Sequence, residues 1–115
     1  MSKDSILAKI DFIIKMIDDL EFIISKHQHI TKALNDREGQ LAILMCLLQI
    51  GESMNKIDDE ILKKYNLSID AKGAYSVRNF IAHDYEGVQL SKIEEIIRLN
   101  IPQLKEKLNK IKIEV

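Results

Sequence analysis

Eight consecutive residues of this 115-residue chain concentrate the side chains that could do chemistry: Arg78-Asn79-Phe80-Ile81-Ala82-His83-Asp84-Tyr85. On a helix, Asn79 and His83 are one turn apart and share a face, whereas Arg78 lies about 100° round the axis from Asn79. Phe80 and Ile81 are then left to face a core. One small surface therefore presents a cation, an amide and a titratable ring.

These three groups suit the cleavage of an RNA phosphodiester without a metal ion. An imidazole can move a proton to or from the ribose 2'-hydroxyl or the leaving oxygen. A guanidinium can bind the phosphate in bidentate fashion and stabilise its developing charge, and the amide of Asn79 can orient either the ring or the phosphate. Because one histidine cannot easily act as both acid and base, a two-fold dimer with both surfaces in one cleft would supply the pair.

The same residues also have a purely structural interpretation. Arg78 and His83 lie near the C-terminus of a predicted helix, where cations oppose the helix dipole and bond the last carbonyl groups. Glu86-Gly87 would let the chain turn away and leave the phenol of Tyr85 accessible. Glu52, far upstream, either pairs with Arg78 or contacts only water.

Composition limits the fold and the partners. With 46% hydrophobic and 30% charged residues but only four Gly and one Pro, the chain is neither disordered nor a many-stranded barrel. The 17 basic and 18 acidic residues leave no global basic field, so anion binding must be local. Cys46, in an apolar run, suits a small buried hydrophobe better than a reactive thiol. The absence of a signal peptide or apolar span favours the cytoplasm.

Helical periodicity predicts the elements that position the polar run, all within one domain, 1–115. The stripe from Ile6 to Ile24 is broad enough to need partners on two sides. A long helix begins near Asp36 and breaks near Lys56. It contains Gly51, which we attribute to the close approach of another helix.

A third helix is predicted to begin near Ala71, after a connection over 66–70, and a last one to run from Leu90 to Ile111. Ser91 and Glu94 form a candidate capping box at its start, and Pro102 predicts a kink near 98–102. His27 and His29 are two residues apart and point to different helix faces. We therefore predict surface positions for both and assign no metal site.

The polar run resembles the signature of the HEPN superfamily, an Arg followed after four to six residues by a His, in the Arg-Asn-x-x-x-His-x-Tyr form of HepT-like toxins. Ile50-Gly51-Glu52-Ser53 resembles the Ile-Gly-Glu-Ala/Ser segment of that family's central helix. Ile101-Pro102-Gln103-Leu104 resembles the Leu-Pro-x-Leu segment of its last helix. The match spans nearly the whole chain, although 70–77 lacks the Pro and Trp that many relatives have there.

This resemblance implies an all-α, up-and-down bundle of four to five helices that forms a homodimer with both motifs in one cleft. It implies a metal-independent endoribonuclease toxin that acts on RNA and uses no cofactor or membrane. Arg78 and His83 would be catalytic with Asn79 in support, while Asp84 and Glu52 would order the cleft.

The resemblance also implies a partner, an MntA-like nucleotidyltransferase antitoxin that transfers adenylyl groups to Tyr85. Such a modification would add negative charge and bulk beside the cleft and so repel or block an RNA phosphate. A second hypothesis is a catalytically inactive HEPN module that serves as a dimeric binding partner of the nucleotidyltransferase.

Overall fold

The computed structural model describes residues 1–115, which form only helices and their connections. In chain order the elements are α1 (Lys3–Lys26), α2 (Ile30–Asn35), α3 (Arg37–Asn55), α4 (Asp59–Lys64), α5 (Ser68–His83), α6 (Leu90–Glu95), a π-helical turn (Ile96–Asn100) and α7 (Ile101–Glu114). Because α6, the π turn and α7 follow one another without a break, there are four long helical rods and two short helices. The all-α prediction is confirmed, and α2 and α4 raise the predicted four to five helices to six.

Helix α3 lies at the centre of the bundle. It packs against α1 on one side and α5 on the other, and α7 contacts α1. The core consists of 24 buried residues, all apolar, and no polar side chain is buried with them. Cys46 belongs to this core, and burial raises the pKa of its thiol, with a further contribution from Asp19. A thiol that stays protonated fits the predicted role of a buried hydrophobe.

Both ends of α3 lie where the sequence predicts them. Asp36 is the N-cap, and its Oδ2 accepts a hydrogen bond of 2.8 Å from the backbone N–H of Gly39. This hydrogen bond is the main reason that the pKa of Asp36 lies below its usual value, and contacts with His27 lower it further. At the other end α3 stops at Asn55, and Lys56 is the C-cap.

Two predictions at helix starts are wrong, although the last helical rod does begin at the predicted Leu90. Helix α5 begins at Ser68, three residues before Ala71, directly after Asn66 has turned the chain with a φ of 57°. The N-cap of α6 is Gln89, so Ser91 lies inside the helix and forms no capping box with Glu94. Glu94 instead accepts a hydrogen bond from the Thr31 hydroxyl of α2, which lowers the pKa of Glu94.

Pro102 marks an irregularity in the last rod. Proline lacks a backbone N–H and its ring clashes with the carbonyl one turn earlier, so a regular α-helix cannot continue through it. Here the backbone widens into the π turn Ile96–Asn100 directly before α7, which has Pro102 in its first turn. The disturbance that Pro102 predicts thus takes the form of a π-helical turn.

Candidate active site

The crossing of α3 and α5 is fixed by Gly51. A Cβ atom on this residue would lie 2.5 Å from the carbonyl oxygen of Ala74 and 2.5 Å from the Cβ of Arg78. No residue with a side chain fits there without moving a helix, which confirms the close approach that the sequence predicts. The crossing holds the backbone of Arg78 against α3 and places it beside Glu52.

The guanidinium of Arg78 is half-buried and has three neighbours. Its Nε lies 2.5 Å from Oε1 of Glu52, its Nη1 donates a hydrogen bond of 2.9 Å to Oδ1 of Asn79, and its Cζ lies 5.7 Å from the ring centre of Tyr75. The Nε–H group is buried and points at no acceptor, so the contact with Glu52 is an ion pair without an aligned hydrogen bond. Of the two alternatives for Glu52, pairing with Arg78 is therefore the one observed.

His83 is the last residue of α5 and differs from Arg78 in its surroundings. It is exposed, and its ring makes no hydrogen bond or ion pair within the chain. Asn79 contacts Arg78 and not this ring. Neither Arg78 nor His83 donates to a backbone carbonyl, so the capping hydrogen bonds of the structural interpretation are not made.

A tight turn after α5 carries Tyr85. The backbone N–H of Gly87 donates to the carbonyl oxygen of Asp84 and also to its Oδ1, each at 3.1 Å. A Cβ on Gly87 would collide with the carboxylate of Asp84. Asp84 therefore holds the turn together, and Tyr85 on that turn keeps 36% of its surface exposed, as predicted.

The predicted site residues thus fall into two groups. Glu52, Arg78 and Asn79 form one contact cluster, whereas His83 and the turn with Asp84 and Tyr85 follow at the helix end. Tyr75 joins the cluster and was missed by the sequence interpretation. Its position one turn before Arg78 and Asn79 on the same helix was the signal that could have found it.

The other two histidines cap helices. His27 ends α1, with Nδ1 2.9 Å from the carbonyl oxygen of Ile23 and Nε2 3.2 Å from Oδ2 of Asp36. His29 is the N-cap of α2, and its Nδ1 accepts a hydrogen bond of 3.4 Å from the backbone N–H of Lys32. No three His, Cys, Asp or Glu side chains are grouped so that they could hold a metal ion.

Comparison with known proteins decides the family. The model of the family described as "Ribonuclease HepT-like" matches residues 13–111, a stretch that includes the Gly51 segment, the polar run and Pro102. The chain belongs to the HepT-like ribonuclease family. The resemblance seen in its motifs is thereby confirmed, and membership supports ribonuclease function.

Two archaeal relatives agree with this assignment. They are the Methanocaldococcus jannaschii proteins named "Putative RNase MJ1216" and "Putative RNase MJ0125". Each is 30% identical to this chain over 111 residues, which is 96% of this chain and 90% and 94% of the two relatives. No solved structure matches the chain significantly. None of its helices combines the length and apolar composition that a membrane crossing needs.

Proposed function

We propose that the protein is a metal-independent endoribonuclease in which His83 transfers protons and Arg78 binds the scissile phosphate. The observation that carries this proposal is the difference in restraint between the two side chains. Arg78 is held by Glu52 and Asn79, which suits a group that must present a fixed positive charge. His83 is exposed and has no partner in the chain, which suits a group that exchanges protons with a substrate.

The proposed reaction is transesterification. The ribose 2'-hydroxyl attacks phosphorus as a base takes its proton, the bond to the 5'-oxygen breaks, and an acid protonates that leaving oxygen. The products are a 2',3'-cyclic phosphate and a 5'-hydroxyl, and Arg78 stabilises the extra negative charge on the phosphoryl oxygens. Base and acid would be the two copies of His83 in a two-fold dimer.

A row of side chains on α3 supports the dimer. Leu41, Met45, Leu48 and Glu52 follow one another at steps of four, three and four and so share one face. Leu41 and Met45 are 41% and 55% exposed, and the half-buried Leu48 packs only partly against the core, so the chain itself leaves much of this apolar row uncovered. We propose that a second copy covers it, which would bring the two Glu52–Arg78 pairs towards one cleft.

The proposal extends to a toxin–antitoxin pair. The exposed phenol of Tyr85 is accessible to a modifying enzyme, and the Asp84–Gly87 turn presents it directly after His83. An adenylyl group on Tyr85, transferred by an MntA-like nucleotidyltransferase, would add an anion beside the cleft and repel RNA. Mass spectrometry after co-expression should find one such group per chain in the wild type and none in Tyr85→Phe.

The decisive experiment is digestion of RNA in the presence of a chelator. The wild type should leave 2',3'-cyclic phosphate ends, and His83→Ala should lower the rate by roughly 10²- to 10⁴-fold, the usual contribution of general acid–base catalysis. His29→Ala is the matched control, because His29 is also exposed beside a helix end. Full cleavage by folded His83→Ala would disprove the assignment, and no cleavage by any variant would favour the inactive binding module.

The dimer is tested by Met45→Asp, which places a charge in the centre of the apolar row. Light scattering should show the wild type as a dimer and this variant as a monomer that no longer cleaves RNA. Ile113→Asp is the control, because Ile113 is 86% exposed near the C-terminus and lies outside the row. A monomeric Met45→Asp that cleaves at the wild-type rate would contradict a shared cleft.

A further inference from the structure

Tyr75 is a half-buried aromatic residue without a role in the hydrophobic core. The half-buried Tyr65 packs against the core, whereas Tyr75 does not. Tyr75 lies one turn before Arg78 on α5, with its ring centre 5.7 Å from the guanidinium carbon. Core packing therefore does not explain why an aromatic ring is held beside the candidate catalytic cation.

The same ring lines a pocket between α5 and the corner where α3 leads into α4. The pocket has a volume of about 430 Å³, within the range of roughly 300–1,000 Å³ that is usual for small-molecule sites. Buried residues such as Met54 and Leu62 form an apolar floor, and Asn55, Lys63 and Lys72 stand among its polar lining residues. The pocket and Arg78 are thus neighbours that share Tyr75.

Of the polar side chains that line this pocket, only Ser76 makes a hydrogen bond within the chain, from its hydroxyl to the carbonyl oxygen of Lys72. Asn55, Lys63, Lys72 and the hydroxyl of Tyr75 take part in no intrachain side-chain hydrogen bond or ion pair. Asp59 adds one unpaired carboxylate to the lining, so two ammonium groups face one carboxylate. An amide, two ammonium groups and an aromatic ring are the groups that bind a base edge, phosphates and a base plane.

We propose that this pocket binds the nucleobase of a nucleotide next to the scissile phosphate of an RNA substrate. Tyr75 is the stacking platform, Asn55 contacts the base edge, and Lys72 binds a neighbouring phosphate. The inference rests on the proposed ribonuclease function and adds a base subsite to it. It defines a path for the single-stranded RNA across the surface, in which the bound base lies at Tyr75 and the cleaved bond lies at Arg78.

Kinetics on abasic substrates test the subsite. In the wild type, removing the base on one side of the cleaved bond should lower kcat/KM by roughly 10- to 100-fold, the usual effect of losing one stacked base. Tyr75→Leu should show the same loss on the intact substrate and no further loss on the abasic one, whereas Tyr75→Phe should behave as wild type. If removing the base lowers kcat/KM by the same factor in wild type and in Tyr75→Leu, the proposal is overturned. We call this factor the abasic penalty.

Phe22→Leu is the matched control. Phe22 is also an aromatic residue beside a cation, with Nζ of Lys26 5.7 Å from its ring centre, but it is 62% exposed on α1. This variant should keep the wild-type kcat/KM and the wild-type abasic penalty. A loss of the abasic penalty in Phe22→Leu would mean that the effect is not specific to the pocket.

A binding measurement separates this proposal from the proposed catalysis. An RNA oligonucleotide with 2-aminopurine at the position beside the cleaved bond, or at each position in turn if nothing is cleaved, is titrated with the His83→Ala protein. Saturable quenching that Tyr75→Leu removes supports the subsite, even if the wild type cleaves no RNA. Absence of quenching at every position would disprove the base subsite, even if the wild type is an active ribonuclease.

Discussion

His27 and His83 occupy similar places in the chain, each at the C-terminal end of a long helix, yet their surroundings differ. Both ring nitrogens of His27 face acceptors, the carbonyl of Ile23 and the carboxylate of Asp36. Neither ring nitrogen of His83 has a partner within the chain. A position at a helix end therefore does not distinguish a structural histidine from a catalytic candidate, and the partners of the two nitrogens do.

In the region of His27 and in the region of the candidate active site, a glycine allows two helices to approach closely. A Cβ on Gly39 would lie 2.3 Å from the carbonyl oxygen of Ala33 and 3.3 Å from the ring of His27. A Cβ on Gly51 would lie 2.5 Å from the carbonyl oxygen of Ala74 and from the Cβ of Arg78. The absence of a side chain thus lets α3 approach the capping residue His27 in one region and the candidate catalytic residue Arg78 in the other.

The largest difference between the two regions should come from alanine at these glycines. Gly39→Ala and Gly51→Ala each push against a backbone carbonyl that cannot rotate away, and each should lower the free energy of unfolding by about 1–3 kcal/mol. Gly51→Ala should also lower kcat/KM for RNA, because it displaces Arg78, whereas Gly39→Ala should leave kcat/KM unchanged. Urea unfolding and the RNA digestion assay measure the two effects.

Gly73→Ala is the control for this pair. Nothing lies within 4 Å of a Cβ at Gly73, an exposed helical position, so alanine should stabilise the protein by roughly 0.5–1 kcal/mol. Equal losses of kcat/KM in Gly39→Ala and Gly51→Ala would mean that the crossing at Gly51 is no more closely linked to catalysis than the crossing at Gly39.

The sequence predicted what depends on local pattern. Gly51 inside an apolar helix indicated a close crossing, and the Asp36 and Lys56 boundaries of α3 were correct because capping and apolar spacing are local signals. The Ser91–Glu94 capping box failed because α6 begins at Leu90 with Gln89 as its N-cap, and the Glu94 carboxylate pairs with Thr31, 63 residues away in the chain. The pocket beside Tyr75 was missed because it exists only where α3, α4 and α5 meet.

A smaller contrast is expected when each histidine is replaced by alanine. His27→Ala removes two contacts between helix ends and should lower the free energy of unfolding by about 1 kcal/mol. His83→Ala removes no intrachain hydrogen bond or ion pair from this exposed position and should leave the midpoint of urea unfolding unchanged. A larger stability loss in His83→Ala than in His27→Ala would show that His83 has a structural role and would weaken its assignment to catalysis.

The smallest expected effect is a change, at acid pH, in how much the charge of Asp36 beside His27 contributes to the free energy of unfolding. The pKa of Asp36 is lowered in the folded protein, mainly by the Gly39 N–H and further by His27, so folding favours its charged form. This contribution is fully present above the unfolded-state pKa of about 3.9 and is lost as the pH falls through the lower folded-state pKa. Asp36→Asn keeps an N-cap acceptor but no charge, so it isolates that contribution. In urea unfolding, the stability gap between wild type and Asp36→Asn should therefore narrow as the pH falls below about 4. If the stability difference between the two proteins does not change at acid pH, Asp36 stabilises this helix end through its hydrogen-bond geometry and not through its charge.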